Sequence, residues 1–341
     1  MAHRNVMNIL LCMLILSFKG YAFTSIPTQT RVLKTRIVPH LSSTPSSTPS
    51  SITPTSPLPT SYDAAFRSTS VKLPKVGRIN LYGLYYGLTS IYLGIIWSFY
   101  NFITWTSYFV LNRVLRLNVD PDRRVPVFLA HVWGISLLRF TRCFPTIKLL
   151  PGAIPPASLF SSPLPSPPLM YVANHCSWMD IPYLGAAIGW RNYKIVAKKE
   201  LTKVPILGQS MKLSKHILID RSNRRSQILT LRQGITTLEK NIPLCTFPEG
   251  TRSRTGRLMP FKRGSFKMAV ESGASIVPLS IIGAEKVMPI NWAMPMRPST
   301  SINATIVVGA PITSVGKTEK ELTAEVRMAM IQVLPESQKP L

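Results

Sequence analysis

The sequence predicts an α/β domain of layered strands and helices carried behind a membrane-anchoring segment, and two observations predict it. In the C-terminal part, short apolar runs alternate with amphipathic helical patterns; strands that are apolar throughout need helices on both of their faces. Ahead of them, residues 79–112 form a 34-residue run without a single charge.

The elements follow in chain order. Residues 1–22 read as a signal peptide, with Arg4 as the charged start, residues 6–18 as the apolar region and Gly20-Tyr21-Ala22 as the small-residue cleavage site. That apolar region is too short to span a bilayer. Residues 23–70 are rich in Ser, Thr and Pro, and Asp63 is the first acidic residue of the chain. Such a composition cannot form a packed core and matches a transit peptide. A signal peptide followed by Phe23 and such a stretch resembles the two-part plastid address of algae with secondary plastids; the endoplasmic reticulum is the alternative destination.

The uncharged run is bounded by Arg78 and Arg113. As one straight helix it extends ~51 Å at ~1.5 Å per residue, beyond the ~30 Å hydrocarbon core. A bent helix, a helix with interfacial ends or a re-entrant pair is therefore expected, one or two membrane helices in all. Trp97, Trp105, Tyr82, Tyr85, Tyr86, Tyr92, Tyr100 and Tyr108 suit the headgroup boundary. Residues 71–124 are accordingly read as anchor and connector, 125–335 as the α/β domain and 336–341 as a tail.

Residues 125–144 mix Phe128, Leu129, Trp133, Leu137 and Leu138 with Arg139 and Arg142, an amphipathic helix on the membrane face or on the domain. A short strand is expected at 147–150. Residues 151–168 hold seven prolines and read as a loop. Further strands are expected at 169–173, 193–197, 216–219, 244–247, 275–282 and 304–308. Helices are expected at 226–241, at 263–272 (stopped by Gly273) and at 319–333, opened by the capping-box pattern Thr318-Glu319-Lys320-Glu321.

Charge narrows the partners. The chain has 40 Lys and Arg against 14 Asp and Glu, a net charge of +26, and a positive mean hydropathy of +0.16. Residues 1–70 hold six basic residues and one acidic residue, so the remainder keeps 34 against 13. Basic and apolar together favour a membrane surface. Nucleic acid is disfavoured, because the aromatic residues cluster in the uncharged run and not among the Lys and Arg, as base stacking requires. Cys12, Cys143, Cys176 and Cys245 have the spacing of neither a zinc site nor a redox pair.

The chemistry concentrates where strand 169–173 runs into Asn174-His175-Cys176-Ser177-Trp178-Met179-Asp180. His and Asp five apart are ~140° apart on a continuous helix. They meet only if His175 sits on the turn leaving the strand and Asp180 starts the next helix. Pro182 supports that break, since proline is tolerated in a first helical turn. A histidine held by a carboxylate is a general-base arrangement; a bare helix cap is the plainer reading of the same residues. A second stretch, Phe247-Pro248-Glu249-Gly250-Thr251-Arg252-Ser253, follows another apolar run. A glycine- and hydroxyl-bearing turn with an arginine suits an anion such as phosphate, and a solvated turn is again the plainer reading.

In this order the two stretches resemble the glycerophospholipid acyltransferases, most closely the 1-acylglycerol-3-phosphate acyltransferases, whose N-H-x-x-x-x-D and F-P-E-G-T-R-S motifs both stand intact. Lys198-Lys199-Glu200-Leu201 through Ile219-Asp220-Arg221, and Val277-Pro278-Leu279, match the family's other two blocks more loosely. The pair Ser214-Lys215 departs from it, since family members often carry glycine there. The resemblance covers roughly residues 125–335. It implies a mixed sheet flanked by helices, like that of glycerol-3-phosphate acyltransferase. It implies acyl transfer from an acyl-carrier-protein or coenzyme A thioester to the 2-hydroxyl of lysophosphatidic acid, giving phosphatidic acid.

By the same resemblance His175 and Asp180 are catalytic. Arg252, then Lys198, and Arg221 at the end of the second block bind the substrate phosphate. Glu249 and Thr251 shape the glycerol site by hydrogen bonding, and Gly250 lets the backbone come close. No cofactor and no metal is implied. The sequence does not name the oxyanion donors; backbone N–H groups at the helix start near Ser177 are one candidate. A covalent route through Cys176 or Ser177, glycerol-3-phosphate or another lysophospholipid as acceptor, and a non-enzymatic membrane-lipid-binding protein are the competing readings.

Overall fold

The computed structural model describes residues 61–159 and 167–341. The expected signal peptide, and the transit-like segment up to residue 60, lie outside the described residues. The end of that segment forms a helix, α1 (Ser61–Ser68). A small hairpin follows, β1 (Val71–Leu73) with β2 (Gly77–Ile79).

The uncharged run folds as α2 (Leu81–Tyr108), continued by a π-helical turn at Phe109–Val114. Asn80 caps it, accepting from the Gly83 N–H while its Nδ2 donates to Met296 O. The chain then doubles back as α3 (Arg124–Phe140), which lies along α2. Asp120 ties the two ends together: its carboxylate accepts from the Tyr108 hydroxyl and from the N–H groups of Arg124 and Val125.

Among the described residues no helix is long and apolar enough to cross a membrane. This corrects the expectation of a transmembrane helix in residues 79–112. The run lacks charge but is diluted by tyrosine, serine, threonine, glycine and Asn101. One side of it is fixed to the domain: Tyr86 and Trp97 are buried, Trp97 stacks on Trp133, and the Tyr82 and Tyr85 hydroxyls donate to Thr141 O and Phe140 O. The opposite side is an exposed stripe of Leu81, Leu84, Leu88, Ile91, Ile95, Phe99, Phe102 and Trp105.

The C-terminal domain is built on a seven-stranded sheet of order β3–β9–β8–β4–β7–β5–β6. The strands are β3 (Thr146–Leu149), β4 (Leu169–Ala173), β5 (Lys194–Lys198), β6 (Ile217–Ile219), β7 (Leu244–Thr246), β8 (Ser275–Ile282) and β9 (Thr305–Val308). β8, β4, β7, β5 and β6 run parallel, while β9 is antiparallel to β8 and carries β3 parallel to itself. The sheet is therefore mixed.

The middle strand shows why. All five residues of β4 are buried. Leu169, Tyr171 and Ala173 face a core shared with α3 and with α4 (Asp180–Ile188). Met170 and Val172 face the other core, shared with α6 (Arg224–Glu239), α7 (Gly264–Ser272) and α9 (Glu319–Val333). Period-two alternation thus feeds two apolar layers, which is what an uninterrupted apolar strand requires. The capping box at Thr318 and Glu321 starts α9.

A 3₁₀ turn (Lys199–Lys203) and α5 (Leu207–Leu213) lie between β5 and β6. Their Lys- and Pro-bearing sequence has no helical period; what holds them is close packing, since a side chain on Gly208 would stand 2.2 Å from Thr202 O. Lys215, in the pair singled out in the sequence, takes the left-handed conformation at φ 52° that glycine adopts freely. A last short helix, α8 (Ala284–Val287), follows β8.

Candidate active site

The carboxyl ends of parallel strands converge on one edge of the sheet, and every sequence-predicted site residue lies on that edge. His175 follows β4; Glu249, Gly250, Thr251 and Arg252 follow β7; Lys198 ends β5; Arg221 follows β6. Crevices outside such strand ends are where open α/β sheets bind ligands.

The His/Asp pair forms as its spacing requires. α4 begins at Asp180, with Pro182 in its first turn, and His175 Nδ1 stands 2.7 Å from Asp180 Oδ2. The same Oδ2 accepts two backbone N–H groups, which suits Nδ1 as the donor of the pair and leaves Nε2 as the ring nitrogen for a substrate. Asp180 is fully buried. Its Oδ2 also accepts the N–H groups of Cys176 at 2.7 Å and Ser177 at 2.8 Å. The imidazole stacks on Phe247 with ring centroids 4.0 Å apart, leaving His175 16% exposed through its side chain. One ring edge is fixed, one face is covered, and the remaining edge meets solvent.

The turn around His175 is hydrogen-bonded on every side. Asn174 continues the sheet with its side chain, donating to Ile281 O and accepting from Ile281 N–H. Glu249 Oε1 accepts the His175 N–H at 2.7 Å and its Oε2 accepts the Met259 N–H at 3.0 Å. The Ser253 N–H donates to His175 O at 2.7 Å. Ser177 Oγ donates to Met288 O and accepts from Met179 N–H.

Three expectations change accordingly. The N–H groups of Cys176 and Ser177 are held by Asp180, so they are not open oxyanion donors. Cys176 is 2% exposed and Ser177 is fully buried. Burial first, and then the carboxylates of Asp180, Glu285 and Glu249, push the Cys176 thiol well above its usual range; a thiolate nucleophile is disfavoured there. Glu249 is 3% exposed and bonded to two backbone amides. The structure thus places its carboxylate behind the His175 turn, while Thr251 is exposed. Burial raises Glu249 to about 7, against the opposing pull of the two amides.

Gly250 turns the chain at φ +75°, and a Cβ there would stand 2.8 Å from Lys262 Nζ. Arg252 comes next, its guanidinium carbon 4.8 Å above the Trp178 ring centroid. Trp178 is 40% exposed. In the sequence Trp178 and Phe247 are only letters within the two motif stretches; their contacts depend on two turns meeting in space, which spacing along one strand does not reveal. Lys198 pairs with Glu200 at 3.2 Å, both about half exposed. Arg221 lies exposed beyond the next strand, with burial of its guanidinium the leading influence that lowers its pKa.

Residues 160–282 match the family model Acyltransferase. The chain is 36% identical over 173 residues to a 1-acyl-sn-glycerol-3-phosphate acyltransferase of Chlamydomonas reinhardtii, covering 51% of this chain and 50% of that one. It is 32% identical over 182 residues to a chloroplastic 1-acyl-sn-glycerol-3-phosphate acyltransferase of Arabidopsis thaliana, covering 53% and 48%. A solved structure, the 1-acyl-sn-glycerophosphate acyltransferase PlsC of Thermotoga maritima, is 23% identical with a TM-score of 0.48, over 71% of this chain and 94% of that one. The chain spans about half the length of the first curated relatives it matches.

Proposed function

Starting from a chain that carries an acyltransferase-family domain over residues 160–282, we propose that it acylates the 2-hydroxyl of 1-acyl-sn-glycerol-3-phosphate from an acyl thioester. The observation that carries this reading is the 2.7 Å contact of His175 with buried Asp180, beside an arginine held on an aromatic ring.

His175 Nε2 takes the proton of the acceptor hydroxyl as its oxygen attacks the thioester carbonyl carbon. The tetrahedral adduct collapses by breaking the C–S bond, and the leaving sulfur takes the proton back from His175. Asp180 holds the tautomer and balances the imidazolium charge. Arg252 binds the phosphate as a planar fork suited to two oxygens. Lys198 and Arg221 add positive charge along the same strand-end edge, and Gly250 and Thr251 border the glycerol. Phosphatidic acid and a free thiol leave. The donor is an acyl-carrier-protein or coenzyme A thioester.

The exposed apolar stripe of α2 lies on a membrane surface and feeds lipid to this edge. Lys72, Lys75 and Arg78 precede the stripe and Arg113 and Arg116 follow it, the flanking pattern of an interfacial helix against anionic headgroups. The chloroplastic name of a relative supports a plastid membrane, where acyl-carrier protein is the nearer donor.

The test is phosphatidic acid formation by the full chain on anionic vesicles, with both thioester donors and with lysophosphatidic acid, glycerol-3-phosphate and other lysophospholipids as acceptors. His175→Ala is expected to lose about 10²–10⁴-fold in kcat. Equal rates in the two proteins would sink the mechanism. Inactivity of folded wild-type protein with every acceptor would move the reading to a lipid-binding protein.

A further inference from the structure

The last residues of the chain carry a buried polar side chain that the mechanism above does not use. Gln338 is 2% exposed, and a buried amide is costly unless its donors and acceptor are met. Here they are met by backbone and side chains surrounding the His175 turn. Gln338 Oε1 accepts the Gly283 N–H at 3.3 Å, and Nε2 donates to Ile281 O and to Glu285 Oε2, each at 3.3 Å. Its own carbonyl accepts the Leu258 N–H at 2.8 Å. Arg257 fastens the segment by donating to Glu336 O at 3.1 Å and Lys339 O at 2.9 Å.

Three of these partners lead on to the catalytic turn, Ile281 and Glu285 by one contact and Leu258 through Met259 and Glu249. Ile281 O also receives the Asn174 amide at 2.9 Å. Glu285 Oε2 lies 3.7 Å from the Cys176 thiol. Leu258 precedes Met259, whose N–H binds the Glu249 carboxylate that holds His175 N–H. Three separate paths therefore run from one glutamine to residues 174, 175 and 176.

We propose that Gln338 is a positioning residue for His175: the docked segment 335–339 braces the catalytic turn from behind and sets the angle at which Nε2 meets the acceptor. This rests on the reading of His175 as the general base. Misplacing a base by a fraction of an ångström lowers turnover more than binding, because attack geometry is lost while the phosphate contacts persist.

The experiment compares wild type, Gln338→Met, Gln338→Glu and Arg257→Leu in the full chain on vesicles, well below each melting temperature. Gln338→Met is expected to lower kcat about tenfold or more, with acceptor KM within about twofold, and Arg257→Leu to act in the same direction but less. In Gln338→Glu a second carboxylate faces Glu285, with Cys176, Asp180, Glu249 and Lys286 as the other titratable neighbours. Its kcat relative to wild type rises as pH falls, because one added proton restores the hydrogen bond; Gln338→Met shows no such recovery. Hydrogen–deuterium exchange of residues 174–180 quickens in Gln338→Met whatever the substrate proves to be. That readout separates failure of the brace from failure of the acyltransferase reading. Wild-type kcat and unchanged exchange in folded Gln338→Met overturn the proposal, as does a loss that follows only the unfolded fraction.

Discussion

The two halves of the strand-end edge are built in opposite ways. Beyond β4 and β7, His175, Asp180 and Glu249 sit in a turn whose backbone and side chains are hydrogen-bonded almost completely, with both carboxylates buried. Beyond β5 and β6, Lys198 and Arg221 are exposed, and the nearest carboxylate to Lys198 is the equally exposed Glu200. Proton transfer tolerates little misplacement, whereas attraction of a phosphate acts at a distance and needs only charge. The comparison therefore separates residues that set turnover from residues that set acceptor affinity.

The largest expected effect lies in the buried half. Asp180→Asn keeps the volume but puts an amide donor or a weaker acceptor against three groups that all donate to Oδ2. The His175 tautomer is then no longer fixed, and kcat is expected to fall about 10²–10⁴-fold. Because the Cys176 and Ser177 N–H groups lose a carboxylate acceptor, stability falls by about 1–3 kcal/mol and the melting temperature falls with it. His175→Ala matches the kinetic loss with little change in melting temperature. A kinetic loss in Asp180→Asn smaller than tenfold would break the assignment of that carboxylate.

Arg252 stands between the halves, charged like the open edge but half-buried and next to the turn. Arg252→Lys loses the planar fork and the ring stack together, so acceptor KM is expected to rise about tenfold to a hundredfold, from about 1.5–3 kcal/mol of charged hydrogen bonding. Trp178→Leu removes only the shelf 4.8 Å beneath the guanidinium. A cation–π contact is worth about 0.5–1 kcal/mol at an exposed site, so KM rises about two- to fivefold with kcat held. Trp178→Tyr recovers most of it. A fall in kcat without a change in KM in Trp178→Leu would instead assign the ring to the His175 turn.

Much of this was legible in the sequence, and the reasons it was or was not are physical. β4 and β8 are fully or almost fully buried runs, and their ends agree with the apolar runs that predicted them. The other strands shift by a residue or so at their ends, and β5 also buries the polar Lys194, bonded to Asp122 O and Asn192. The His175–Asp180 pair was legible because five residues and a proline leave few geometries. α5 was not, since close backbone approach at Gly208 holds it and no periodic pattern announces it. The membrane reading of α2 rested on missing charge, and missing charge does not distinguish a spanning helix from one whose tyrosines and Asn101 face a domain. The final residues, read as a tail, are docked through Gln338, a residue type that carries no burial signal in sequence.

Glu249 sharpens the comparison through pH. Its carboxyl is raised from 4.5 to about 7 by burial, so the folded state binds a proton more tightly than the unfolded chain. Its contribution to stability is then fully present below about 4.5 and is lost as pH rises through about 7. The wild-type melting temperature is expected to fall across that window relative to Glu249→Gln, which does not titrate. The magnitude is on the order of 3 kcal/mol at most. Glu249→Gln also exchanges one acceptor oxygen for a donor against Met259 N–H or His175 N–H, so kcat falls while KM holds. An identical pH dependence of melting in the two proteins would place the titration elsewhere.

The smallest effect is expected at the open edge, and it tests the comparison most directly. Lys198 and Glu200 are about half exposed at 3.2 Å, and exposed charges are screened by salt over about 8–10 Å at physiological ionic strength. Lys198→Ala is therefore expected to raise acceptor KM less than about threefold at about 0.15 M salt and more at about 0.01 M, where screening recedes to about 30 Å. Arg221→Ala, one strand further out, changes KM less still and shows the same salt dependence. Neither variant alters kcat or melting temperature. A salt-insensitive, tenfold or larger rise for Lys198→Ala would mean that the lysine leaves Glu200 to contact the phosphate directly. The open edge would then close on substrate, and the division between a fixed turn and an adjustable anion side would hold only for the free protein.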